Sequence, residues 1–94
     1  MTTVLITGTN RGTGLEFVKQ YAEDGWRVLA CCRDPNDAGN LQKLAVKHGN
    51  IEIFALDVAD FAQIDTVAKQ LKDERIDVLI NNAGLSPLAP SMYS

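Results

Sequence analysis

Val4-Leu5-Ile6-Thr7-Gly8-Thr9-Asn10-Arg11-Gly12-Thr13-Gly14 runs from a β-branched apolar stretch straight into a glycine-rich turn. The helical pattern Leu15, Val18, Tyr21, Ala22 follows at once. Strand, tight loop and helix make the first unit of an alternating α/β chain. Such a loop points backbone N–H groups, and the positive end of a helix, to where an anion can sit. The stretch therefore predicts a site for a phosphate-bearing ligand, built from Gly8, Thr9, Asn10, Arg11, Gly12, Thr13 and Gly14.

The alternation continues to about residue 84. Thr3 to Thr7 reads as a strand, and Gly12 to about Asp24 as a helix closed by Gly25, a residue suited to a left-handed cap. Trp26 to Cys32 is a second apolar run, and Asp34-Pro35-Asn36-Asp37 is a turn. About Ala38 to His48 is a short helix, and Ile51 to Leu56 a third strand. Asp60 is placed as an N-cap with Gln63 as its capping-box partner, ahead of Phe61, Ile64, Val67, Ala68 and Leu71 at helical spacing. Ile76 to Ile80 is a fourth strand, closed by Asn81-Asn82-Ala83-Gly84. From Leu85, with Pro87 and Pro90, no period is present, so 85–94 is expected to be loop or disordered. Strands separated by helices imply βαβ units, a parallel sheet and right-handed crossovers.

A chain of 94 residues is one domain at most, and at that size only about 60–65% of the unfolded surface is buried. Its net charge of -3 gives no electrostatic case for nucleic acid or an anionic membrane. No apolar run approaches the ~20 residues of a membrane span. The start Met1-Thr2-Thr3-Val4 carries no charged n-region, so no signal peptide is read and a cytoplasmic location is expected. Cys31 and Cys32 are adjacent, point to opposite faces of a strand and read as two small buried residues. They do not have zinc-site spacing. His48, the single histidine, follows Leu41, Leu44 and Ala45 and reads as a helix C-terminal residue.

The glycines fall as Gly8-x-x-x-Gly12-x-Gly14, which is neither the Gly-x-Gly-x-x-Gly fingerprint nor a P-loop, since no Gly-Lys-Ser/Thr follows. The physics is shared: a sharp strand exit, close approach of backbone to pyrophosphate, and tight helix–strand packing. By itself the pattern also suits a structural βα turn with no ligand. Two further motifs stand in register with it: Asp57-Val58 after the third strand, and Asn81-Asn82-Ala83-Gly84 after the fourth. Together they resemble the short-chain dehydrogenase/reductase family over residues 1–84, and the wording around the loop looks most like carbonyl-reductase-like members of the C-factor and sniffer type.

The resemblance implies a partial Rossmann fold, with four parallel strands in order 3-2-1-4 and three helices. It implies a dinucleotide-binding half at 1–84, with Asp57 and Val58 beside the adenine and Asn82, Ala83 and Gly84 lining the site. It also implies an oxidoreductase acting on a carbonyl/alcohol pair. Binders that prefer NAD place an acid at the end of the second strand; the matching residue here is Cys32, followed by Arg33, and Arg11 lies in the loop. Arginine suits a 2′-phosphate, so NADP(H) is expected over NAD(H). Thr9 and Thr13 stand where the family usually has Ala and Ile, with mild effects expected. The family's catalytic Ser and Tyr-x-x-x-Lys are absent, and Tyr93 has no Lys after it, so the 94-residue chain is expected to be catalytically inert. The alternatives are a nucleotide-binding module without chemistry, or a truncated relic that only self-associates. In a half fold the Ile76–Ile80 edge is open, so a homodimer or higher self-association through that strand is expected.

Overall fold

The computed structural model describes residues 2–57 and 59–82. The expected domain and tail boundary at 84/85, and the site residues expected at Val58, Ala83 and Gly84, lie outside them. In chain order the elements are β1 (Thr3–Thr7), α1 (Gly12–Glu23), β2 (Arg27–Cys32), a 3-10 turn (Pro35–Asp37), α2 (Gly39–Lys47), β3 (Ile51–Ala55), α3 (Phe61–Gln70) and β4 (Val78–Ile80). The four strands are all parallel, in the order β3-β2-β1-β4 expected from the sequence.

The central strands β1 and β2 are buried along almost their whole length, as a parallel sheet covered on both faces requires. Side-chain alternation divides their residues between two cores. Val4, Ile6, Val28, Ala30 and Cys32 pack under Val18 and Ala22 of α1 and Leu41 of α2. Leu5, Leu29 and Cys31 pack under Val67 of α3 and Leu71. The adjacent cysteines thus go to opposite faces, both free and both buried. Gly25, at φ 83°, ends α1 as its place in the pattern implied. Among the described residues no helix is long and apolar enough to cross a membrane.

Two local expectations are corrected. Asp60 caps α3, accepting from the amides of Ala62 (3.0 Å) and Gln63 (3.3 Å). Gln63 does not close a capping box, because the Asp60 amide is already given to the Asp57 carbonyl at 2.8 Å. Its Oε1 reaches further back and accepts from the Asp57 amide at 2.6 Å. The fourth strand is also shorter than the run Ile76–Ile80. Asp77 Oδ2 accepts from the Thr3 amide at 2.9 Å, occupying the donor that a ladder carbonyl would take, and pairing begins at Val78.

Asp77 belongs to a polar cluster at the N-terminal end of the sheet. Arg27 bridges Glu74 (2.5 Å) and Glu52 (3.1 Å), and Arg75 meets Asp77 at 3.3 Å. The hydrogen bond that Arg27 donates to Glu74 raises its pKa still further, so this guanidinium is charged at any working pH. The α3 side of the sheet is less complete. Leu79 lies beside Leu5 yet is 66% exposed, and Phe61 is 83% exposed, so the predicted apolar face of α3 is buried only at its Val67 end.

Candidate functional site

The C-terminal ends of β1, β2 and β4 converge on the glycine loop. Gly8, at φ 66°, turns the chain out of β1, a conformation only glycine adopts without strain. Thr9 then comes back over β2. Its amide (3.2 Å) and hydroxyl (3.0 Å) both donate to the Cys31 carbonyl, and the side chain is fully buried. Asn10, Arg11, Gly12 and Thr13 are exposed. A Cβ on Gly12, at φ 60°, would meet no atom of the described residues within 4 Å.

The start of α1 differs from that of α3. Its N-cap residue, Arg11, makes no side-chain cap hydrogen bond, and no acid lies in the first turn. The first amides of a helix have no partner within the helix. At α3 Asp60 satisfies two of them, whereas at α1 no side chain among the described residues does. Gly14 explains the third glycine of the pattern. A Cβ there would lie 2.0 Å from the Gly8 carbonyl oxygen and 2.8 Å from Asn82 Nδ2. The helix therefore starts in van der Waals contact with the loop backbone.

The asparagine pair after β4 locks this arrangement. Thr7 Oγ1 donates to Asn81 Oδ1 at 3.0 Å and accepts from the Asn82 amide at 3.0 Å. Asn82 Nδ2 donates to the Gly8 carbonyl at 3.2 Å. Thr7 and Asn81 were absent from the candidate residues, and so was the Cys31 carbonyl. A hydroxyl residue closing the first strand next to a pair of amides closing the fourth was the available signal.

The flanks behave differently from one another. The Cys32 thiol is 1% exposed and faces the α1–α2 core, so this position supplies neither an acid nor a reachable sulfur. Burial raises its pKa, and burial together with the neighbouring Cys32 pushes the Cys31 thiol up to about 12. Both are neutral at pH 7 and poor nucleophiles. Arg33, next in the chain, is exposed; among the described residues neither it nor Arg11 forms an ion pair. Asp34 belongs to the turn, accepting from the Asn36 amide. Asp57 is fixed on the third side: its amide is held by Gln63, and its Oδ1 accepts from the Ala59 amide at 2.9 Å. His48 is the C-cap of α2, at the far end of the sheet from the loop, with a buried Nε2 that has no hydrogen-bond partner among the described residues. No cluster of three or more metal-ligating side chains occurs among the described residues.

A family model for short chain dehydrogenases matches residues 2–93. The chain is 35% identical over 92 residues to FixR of Bradyrhizobium diazoefficiens, covering 94% of this chain and 32% of FixR. A carbonyl reductase of Pseudomonas aeruginosa, solved in complex with NADP, superposes with TM-score 0.83 at 34% identity, over 89% of this chain and 39% of the reductase. A short-chain dehydrogenase/reductase of Burkholderia multivorans with bound NADP also gives TM-score 0.83, at 29% identity, over 90% of this chain and 37% of that one. The chain thus spans about a third of the length of the relatives it matches.

Proposed function

The chain belongs to the short-chain dehydrogenase family, and from that premise we propose that it is the NADP(H)-binding part of an oxidoreductase acting on a carbonyl/alcohol pair. The observation that carries the reading is the pair of exposed, uncommitted arginines beside the open start of α1. Arg11 and Arg33 flank the glycine loop, and the strand-end position between them holds a buried neutral thiol where an NAD binder would carry an acid. The two NADP-bound neighbours add support.

The residues present fit such a group. The uncapped amides of α1 suit a pyrophosphate, and Gly12 leaves room for its approach. Arg11 and Arg33 would take the 2′-phosphate, with Thr9, Asn10 and Thr13 shaping the loop and the Cys32 backbone forming the floor beneath. Asp57 and Val58 would flank the adenine, and Asn82, Ala83 and Gly84 would line the far side. When bound, NADP(H) supplies the hydride; these residues bind and orient it. Residues 1–84 form the dinucleotide-binding part in this reading, with 85–94 outside it.

Arg33→Ala is the direct test. A charge-assisted hydrogen bond contributes about 1.5–3 kcal/mol, so NADP affinity should fall roughly ten-fold or more while NAD affinity stays nearly constant. Calorimetric titration of both dinucleotides measures this; equal losses for the two would remove the 2′-phosphate assignment.

Self-association is part of the same proposal. Leu79 leaves apolar surface on β4, whose outer edge is unpaired among the described residues. Two copies of the 94-residue chain pairing β4 antiparallel about a two-fold axis would satisfy both edges with one patch. Sedimentation at micromolar concentration should give a dimer, and Leu79→Lys a monomer. A wild-type monomer across that range contradicts the pairing.

A further inference from the structure

We infer that Thr9 is a positioning residue for cofactor choice: its double bond to the Cys31 carbonyl sets the gap between the two arginine-bearing segments. The inference rests on the reading of Arg11 and Arg33 given above. From its place in the sequence, a threonine at position 9 promised only a mild effect. The structure gives it more to do.

Thr9 is completely buried, and both its donors converge on one acceptor, the amide at 3.2 Å and the hydroxyl at 3.0 Å. A buried bond of this kind does not compete with water, and two donors from one residue fix direction as well as distance. Arg11 stands two residues beyond Thr9, and Arg33 two residues beyond Cys31. The clamp is therefore the short link between the two guanidinium-bearing segments, with only Asn10 and Cys32 intervening. The β2 side of that link is rigid, because the Cys32 thiol is packed in the core and the Cys32 carbonyl accepts from the Leu56 amide at 2.8 Å. On the loop side the Arg11 side chain makes no hydrogen bond or ion pair among the described residues, so the backbone at Thr9 sets where it stands.

The two halves of an adenosine ligand are affected unequally. A 5′-phosphate needs only the loop and the start of α1. A 2′-phosphate has to be met from the loop and from the end of β2 together. Loss of the hydroxyl leaves one amide bond about which the loop can pivot, and the contact that depends on both segments weakens most.

Adenosine 2′,5′-bisphosphate and AMP are the probes, titrated calorimetrically against the full 94-residue chain. The wild type is expected to prefer the bisphosphate. Thr9→Val, equal in shape but lacking the hydroxyl, should lower the ratio of the two affinities by about five-fold, the scale of one lost buried hydrogen bond. Thr9→Ser should restore the ratio to within about two-fold of wild type, since the same bond can form. Thr9→Ala, the residue usual at this place in the family pattern, serves if the valine variant does not fold, and must show the same fall. A ratio unchanged in the valine and alanine variants, or equal losses for both ligands, overturns the clamp. A wild type without preference for the bisphosphate refutes the arginine assignment itself, and the clamp falls with it.

Discussion

Gly14→Ala is expected to cost about 3 kcal/mol of stability and to abolish dinucleotide binding. The added methyl would lie 2.0 Å from the Gly8 carbonyl oxygen and 2.8 Å from Asn82 Nδ2. The asparagine tip can move, but the carbonyl cannot, because Gly8 leaves β1 at φ 66° and its oxygen accepts from Asn82. The clash is relieved only if the start of α1 swings away from the loop, and the proposed anion site would be made of those two parts. For a domain of this size each kcal/mol moves the melting temperature by roughly 4–8 °C, so a fall of more than about 10 °C is expected in a circular-dichroism melt. Gly39→Ala is the control. A Cβ there meets nothing within 4 Å, and the residue opens α2, so about 0.5–1 kcal/mol of stabilisation is expected. A Gly14→Ala protein that melts with the wild type would mean that α1 and the loop are not in contact as described.

The second large effect concerns turnover. The 94 residues contain no Tyr-x-x-x-Lys, and the described part offers no exposed acid–base pair beside the glycine loop. Losing a positioned proton donor alone costs about 10²–10⁴-fold in rate. The 94-residue polypeptide, produced by itself and verified by intact mass, is expected to show no NADPH-dependent carbonyl reduction above the uncatalysed background, while still binding adenosine 2′,5′-bisphosphate. Measurable reduction by that material would contradict the expectation. Binding without reduction would match a nucleotide-holding unit whose chemistry is supplied by residues outside these 94.

Local pattern accounts for what the sequence made legible. Strand β1 runs Thr3–Thr7 as read, and α1 opens at Gly12, because an apolar β-branched run, a glycine and a helical period leave little choice of backbone. Cys31 and Cys32 were legible as facing opposite sides from strand alternation, and as buried from the usual burial of free cysteine. What stayed hidden depends on partners far away in sequence. Gln63 follows the capping-box spacing but serves Asp57, since the amide it was expected to meet is already taken. Asp77 shortens β4 by taking an amide 74 residues away. Thr9 looked like a tolerated departure, and the partner of its hydroxyl is a carbonyl 22 residues further on. The placement of Cys32 was half legible: its lack of charge was plain, but its side chain faces the core, so only its backbone remains to meet a ligand.

The polar cluster at the N-terminal end of the sheet gives the two rims opposite characters. At that rim Arg27, Glu52, Glu74, Arg75, Asp77 and Thr3 are engaged with one another. At the opposite rim the amides opening α1 and the two guanidiniums are left uncommitted by side chains among the described residues. One end of the sheet is a fastening and the other a socket, separated by the length of the strands. Substitutions at the fastening are expected to register as melting temperature and, on the proposed function, those at the socket as affinity, with Gly14 and Thr9 among the places where the two readouts mix. On the proposed function, this spatial division would let ligand preference be rewritten at one rim while the other holds the fold.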